Sequence, residues 1–98
     1  MYLYVDPSFG GEDNFIVFDD NNIIKTRSIS IKDGFKFDSE LVKFVGYNIF
    51  DITKIYSDCP SKYFLPQVKE NLYKNQKIEL HSICPKICKK WLKENNKW

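Results

Sequence analysis

No run of apolar residues in this chain approaches the length of a bilayer span. The first run, Tyr2 to Val5, is cut short by Asp6 and has no basic residue before it. Both features argue against a membrane span and against a secretory leader. Cysteine is scarce and odd in number, three residues without a CxxC pair. A secreted disulfide framework is therefore not expected, and a reducing, cytoplasmic setting is. A glycine-rich phosphate loop is also missing, because Gly10-Gly11 reads as a turn between antiparallel strands with no helix behind it. There are no repeats, no low-complexity tracts and no linker long enough to divide the chain. At 98 residues, a single domain spanning 1–98 is what this leaves.

What the chain does have is an ordinary globular mixture, 43% hydrophobic and 29% charged, too apolar for a disordered segment. Its charge is unevenly placed. Residues 1–61 carry 6 basic and 10 acidic side chains, whereas 62–98 carry 9 lysines and 3 glutamates, giving −4 and +6. A solvated lysine face explains such a split, and so does a surface that meets nucleic acid or another acidic partner.

Tyr2–Val5 and Phe15–Phe18 read as strands, and Ile23–Ile31 as a third, joined by the turn segments GGEDN and DDNN. Asp38 or Ser39 is placed to cap a helix carrying Leu41, Val42, Val45 and Ile49 at helical spacing. Ile52–Tyr56 and Ile78–Ile83 read as further strands, separated by a short helix over Pro66–Lys74. A last helix starts at Pro85, with Ile87, Cys88, Trp91 and Leu92 on its apolar stripe and lysine on its other face. The predicted order is β-β-β-α-β-α-β-α, an α/β fold with a five-stranded mixed sheet, since strands that alternate with helices pair in parallel through crossovers.

Two strands in this scheme end alike, MYLYVD at Asp6 and KIYSD at Asp58. Each Asp followed closely by Pro is ordinary turn chemistry. If the two strands are parallel neighbours, however, both carboxylates emerge at the carboxyl edge where open α/β sheets bind ligands. Hard divalent cations take oxygen ligands of this kind.

The element order, together with YVD in the first strand, DSEL opening the first helix and IYSD ending the fourth strand, resembles the ribonuclease H-like superfamily. YVDPSF is similar to the first-strand motif of RuvC-type resolvases. The resemblance implies a nuclease or nucleic-acid-processing domain that hydrolyses phosphodiester bonds with Mg²⁺ or Mn²⁺, with Asp6, Glu40 and Asp58 as its catalytic, metal-holding acids. Lys62, Lys86, Lys89 and Lys90 are the candidate nucleic-acid contacts. The family's further carboxylate in the first turn of the last helix is absent here, where Cys84-Pro85-Lys86-Ile87 stands. That departure keeps a second expectation open, a catalytically inactive domain of the same fold that binds a protein or nucleic acid, such as a small viral or mobile-element inhibitor or adaptor.

The same residues admit other chemistry. Cys59, His81, Cys84 and Cys88 form a Cys₃His set, but zinc is disfavoured without a CxxC knuckle and with Cys88 on an apolar stripe. His81 resembles the loop histidine of some ribonucleases H and reads equally as a surface or capping residue. A Cys84 nucleophile would be helped by the helix N-terminus but has no base placed by sequence. The aromatics are read mainly as core, with Tyr63, Phe64 and Trp98 less clearly so.

Overall fold

The computed structural model describes residues 1–7, 11–30 and 36–98. Ser8 to Gly10 and Ile31 to Phe35 lie outside it, so the expected turns at Gly10 and at Lys32-Asp33-Gly34, and the expected strand end at Ile31, fall outside the described residues.

Five strands form one mixed sheet: β1 (Tyr2–Asp6), β2 (Glu12–Phe18), β3 (Ile23–Ser30), β4 (Lys54–Tyr56) and β5 (Glu79–His81). Their spatial order is β3-β2-β1-β4-β5. β2 is antiparallel to both of its neighbours, while β1, β4 and β5 run parallel. Three helices accompany them: α1 (Phe37–Val45), α2 (Phe64–Leu72) and α3 (Lys86–Glu94).

The central strands alternate in the way a sheet covered on both faces requires. Leu3, Val5, Phe15 and Val17 enter one core with Leu41, Phe44 and Val45 of α1 and Leu65 and Val68 of α2. Tyr4, Ile16 and Phe18 enter a second core with Cys88 and Leu92 of α3. Leu3, Tyr4 and Val5 are each 0% exposed, so β1 is buried on both faces and its position at the centre of the sheet is fixed by burial.

The observed element order differs from the predicted one by a 3₁₀ helix, Gly46–Phe50, inserted between α1 and β4. The expected helical run through Ile49 stops because Gly46 takes φ 49°, a left-handed setting that glycine adopts without a Cβ penalty. α1 also begins at Phe37, with neither Asp38 nor Ser39 as its cap; Lys36 holds that position and makes no side-chain capping bond. Packing explains the shift. Phe37 stacks edge-on against Phe15 at 5.3 Å and Phe64 at 5.9 Å, and ring burial of this kind outweighs one capping bond.

Strand and helix ends move elsewhere too. β2 takes in Glu12, Asp13 and Asn14, which the sequence places in a turn. β4 and β5 are three residues each. α2 begins two residues before Pro66, and Pro85 is the N-cap of α3 at φ −60° and ψ 150°, one step ahead of the helix proper. Among the described residues, no helix is long and apolar enough to cross a membrane.

Candidate functional site

β1 and β4 are adjacent and parallel, with Tyr4 opposite Tyr56. Asp6 and Asp58 each lie two residues beyond this last pair, Asp58 just past the end of β4, and the Asp58 charge is near enough to act on the Asp6 carboxyl. Side chains two apart on a strand share a face, so Asp6 projects on the Tyr4 side of the sheet, the side covered by α3.

Each carboxylate is oriented by a neighbour. The Tyr4 hydroxyl donates to Asp58 Oδ1 at 3.0 Å, and Asn14 Nδ2 donates to Asp6 Oδ2 at 3.3 Å. Asn14 faces Asp6 across the β1–β2 ladder and Ser28 across the β2–β3 ladder. Ser28 Oγ lies 2.6 Å from Asn14 Oδ1 and donates to it, which turns the amide nitrogen toward Asp6. A polar row, Ser28 to Asn14 to Asp6, thus crosses three strands and ends beside Asp58. Asn14, at its centre, is 2% exposed and has its partners supplied by half-buried Ser28 and Asp6.

The electrostatics follow from that burial. Asp6 is held above the ordinary carboxylate range chiefly by desolvation, with Asp58 and Asp13 adding like charge and the Asn14 bond working against them. Tyr4 is pushed up by its burial first, then by the adjacent Cys84 and the two aspartates. Cys84 sits against the Tyr4 hydroxyl, but that hydroxyl has one proton and the Asp58 carboxylate is the stronger acceptor. The thiol's own contact is to the Pro85 carbonyl at 3.7 Å.

The expected helix-terminus activation of Cys84 is reversed. Burial pushes its thiol up, Asp58 and Asp6 push the same way, and the nearby Tyr4 hydroxyl and Lys89 only partly oppose them. A thiol held protonated is a poor nucleophile.

Glu40 is placed differently. It is 7% exposed, and its carboxylate meets Arg27 Nη2 at 2.6 Å and Lys43 Nζ at 3.7 Å. Arg27 is opposite Phe15 on the β2–β3 ladder and shares its face, the face covered by α1 and α2. The structure brings Asp6 and Asp58 together and holds Glu40 on Arg27 at the opposite face. Among the described residues, no group of three His, Cys, Asp or Glu side chains is arranged to hold a metal ion.

Of the Cys₃His residues, Cys84 and Cys88 share the core under α3. Cys88 is buried in the α3 core, and the His81 ring stacks on Tyr56 at 4.9 Å and 19° from within β5. His81 is thus half-buried within β5 and not on a loop; among the described residues, its buried Nε2 has no hydrogen-bond partner.

Three of the candidate lysines are on α3, the helix that covers the Tyr4 face, and the fourth, Lys62, follows Asp58 by four residues. Lys86, Lys89 and Lys90, with Lys93 and Glu94, border a shallow depression of about 300 Å³ along α3. Lys62 lies over the Tyr63 ring at 5.2 Å, and Lys89 over the Trp98 ring at 5.2 Å. Sequence reasoning missed Asn14, Ser28 and the hydroxyl of Tyr4 as parts of the site. Their signal was the alternation Asn14-Ile16-Phe18 in step with Tyr4-Asp6, which the turn-like GGEDN concealed.

No protein-family model matches the chain, and no curated protein or solved structure matches it. Its function is therefore read from the residues and their geometry.

Proposed function

We propose that this chain is a ribonuclease H-like domain that cleaves phosphodiester bonds with Mg²⁺ or Mn²⁺ held by Asp6 and Asp58. The observation that supports it is the parallel pairing of β1 and β4, after which each strand ends on a carboxylate that accepts a hydrogen bond, the two near enough for the charge of Asp58 to act on Asp6. A sheet in the order β3-β2-β1-β4-β5 with β2 as its antiparallel member agrees with the same reading.

The donor set fits the ion. Mg²⁺ is commonly held by one or two carboxylates plus substrate phosphates and waters, and the half-buried Asp6 carboxylate, raised by its own desolvation and by the charge of exposed Asp58, gains from a cation beside it. When bound, such an ion lowers the pKa of its water and offsets charge on the phosphate. The chain's own residues do the rest. Tyr4 and Asn14 fix the two carboxylates, the α3 core keeps bulk water from their inner side, and Lys86, Lys89 and Lys90 attract the backbone of a nucleic acid to this edge. Free Cys59, Cys84 and Cys88 suit a reducing compartment such as the cytoplasm.

The test is cleavage of labelled single-stranded, duplex and RNA–DNA hybrid substrates in Mn²⁺, beside Asp6→Asn and Asp58→Asn. Activity that needs the ion and disappears in both variants supports the proposal; no activity with any substrate overturns it. A second reading, a non-catalytic binding domain of the same fold, is favoured by the Glu40–Arg27 ion pair, which engages the acid expected at the site, and by Lys86 in the first turn of α3. It expects a complex with protein or nucleic acid that survives both EDTA and Asp58→Asn.

A further inference from the structure

Two exposed aromatic rings lie at the edge that carries Asp6 and Asp58, each beneath a lysine ammonium. Tyr63 is 72% exposed and Trp98 54% exposed. Lys62 Nζ stands 5.2 Å from the first ring and Lys89 Nζ 5.2 Å from the second. Among the described residues, most other aromatics are in the two cores; Tyr47 and Phe50 are also exposed, but they lie on the 3₁₀ helix that leads into the start of β4, away from the strand ends that carry Asp6 and Asp58.

Their placement follows from the chain path. Tyr63 is the N-cap of α2, five residues after Asp58, and borders an open hollow of about 290 Å³ with Cys59, Ser61, Phe64 and Gln67. α2 covers the Leu3 and Val5 face, so Tyr63 stands at the carboxyl edge on that side. Trp98 follows α3, which covers the Tyr4 face. Lys97 beside it bonds both Glu12 carboxylate oxygens at 2.7 Å, and Glu12 opens β2, next to the end of β1 where Asp6 pairs with Asn14. Lys89 is close enough to Cys84 to act on its thiol, and Cys84 adjoins Tyr4 and both aspartates. The carboxylate pair thus has one lysine-covered ring on each side of the sheet.

We propose that Tyr63 with Lys62 and Trp98 with Lys89 are two stacking platforms for single-stranded nucleic acid, placing its backbone across the Asp6 and Asp58 edge. This rests on the reading of that edge as a phosphodiester site. Aromatic faces accept any base, and lysines follow the backbone; together they bind single strands without reading sequence. A paired duplex keeps its bases stacked inside and offers these rings no face.

The test is fluorescence anisotropy of 15-nucleotide oligo(dT), oligo(U) and a duplex of equal length in EDTA, where no cation supports cleavage. The single strands are expected to bind at least about tenfold more tightly than the duplex, and the dT and U arms separate DNA from RNA. Tyr63→Ala and Trp98→Ala are each expected to weaken single-strand binding by about tenfold, from the usual strength of base–aromatic stacking. Both side chains are exposed, so thermal unfolding should not move. In Trp91→Phe, Trp98 is the sole tryptophan, and its emission is expected to be quenched by the single strand.

Equal binding by wild type and both alanine variants overturns the proposal, as does a preference for duplex. No binding to any of the three also overturns it and leaves the rings to a protein interface. Asp58→Asn separates the two readings. If cleavage is lost in Asp58→Asn but the aromatic variants bind like wild type, the hydrolysis reading stands and the platforms fall. If binding depends on the rings and no substrate is ever cleaved, the reverse holds.

Discussion

Asp6 is the residue on which the site turns, and its cost to the fold can be measured. Burial and Asp58 raise its carboxyl above the usual range, so the folded chain holds the Asp6 proton more tightly than the unfolded chain does. By linkage, the stability from this group is present at low pH and is lost as pH rises through the folded value. At pH 7 and without divalent cation, ionised Asp6 therefore opposes folding. Asp6→Asn removes the charge, and its thermal midpoint is expected to rise by a few degrees, about what a fraction of a kcal/mol gives in a chain of this size. Adding Mg²⁺ should then raise the wild-type midpoint and leave the variant's unchanged; a fall in Asp6→Asn would contradict this. Tyr4→Phe keeps the buried ring but removes the donor to Asp58, with an expected cost of about 1 kcal/mol in urea unfolding. The sequence made Asp6 and Asp58 visible because each ends an apolar run. It hid Asn14, since Gly, Asp and Asn nearby are turn formers by local propensity and only pairing with β1 and β3 draws them into a strand.

Among the elements, α1 shows where local signals lose to packing. Its capping residues predict a start at Asp38 or Ser39, and burial of Phe37 against Phe15 and Phe64 moves it earlier. Its end is set by Gly46, at φ 49° with nothing within 4 Å of an added Cβ. Gly46→Ala meets no clash there and is expected to lose about 1 kcal/mol from backbone strain alone, read as a lower denaturation midpoint with an unchanged slope. α1 also carries Glu40, legible in the sequence as an acid but not as the partner of Arg27, which lies 13 positions before it on β3. Such a partner is fixed by which sheet face each strand presents. Glu40→Gln is expected to weaken the fold by about 1 kcal/mol, as loss of a partly exposed ion pair does, and to leave divalent-cation binding intact.

Over the whole molecule, the charge split read from the sequence becomes a spatial one. The lysine-rich second half supplies the outer face of α3 and the two lysine-covered rings, while the acids of the first half supply Asp6 and, near its end, Asp58. The alternation of strands and helices was enough to predict a mixed five-stranded sheet, because crossovers demand parallel neighbours. Binding to a single strand is expected to weaken with salt, and Lys86→Gln/Lys89→Gln/Lys90→Gln to reduce the slope of log K against log salt by about 2, at roughly 0.7 for each phosphate no longer neutralised. An unchanged slope would remove α3 from the interface. The most direct measurement of metal binding at the paired carboxylates is a Mn²⁺ titration followed by paramagnetic broadening of backbone amide resonances. Early, selective broadening around Asp6 and Asp58 is expected, abolished by Asp58→Asn and preserved in Glu40→Gln. Broadening centred on Glu40, or spread evenly over the acidic surface and insensitive to Asp58→Asn, would contradict a metal site between the two strand ends.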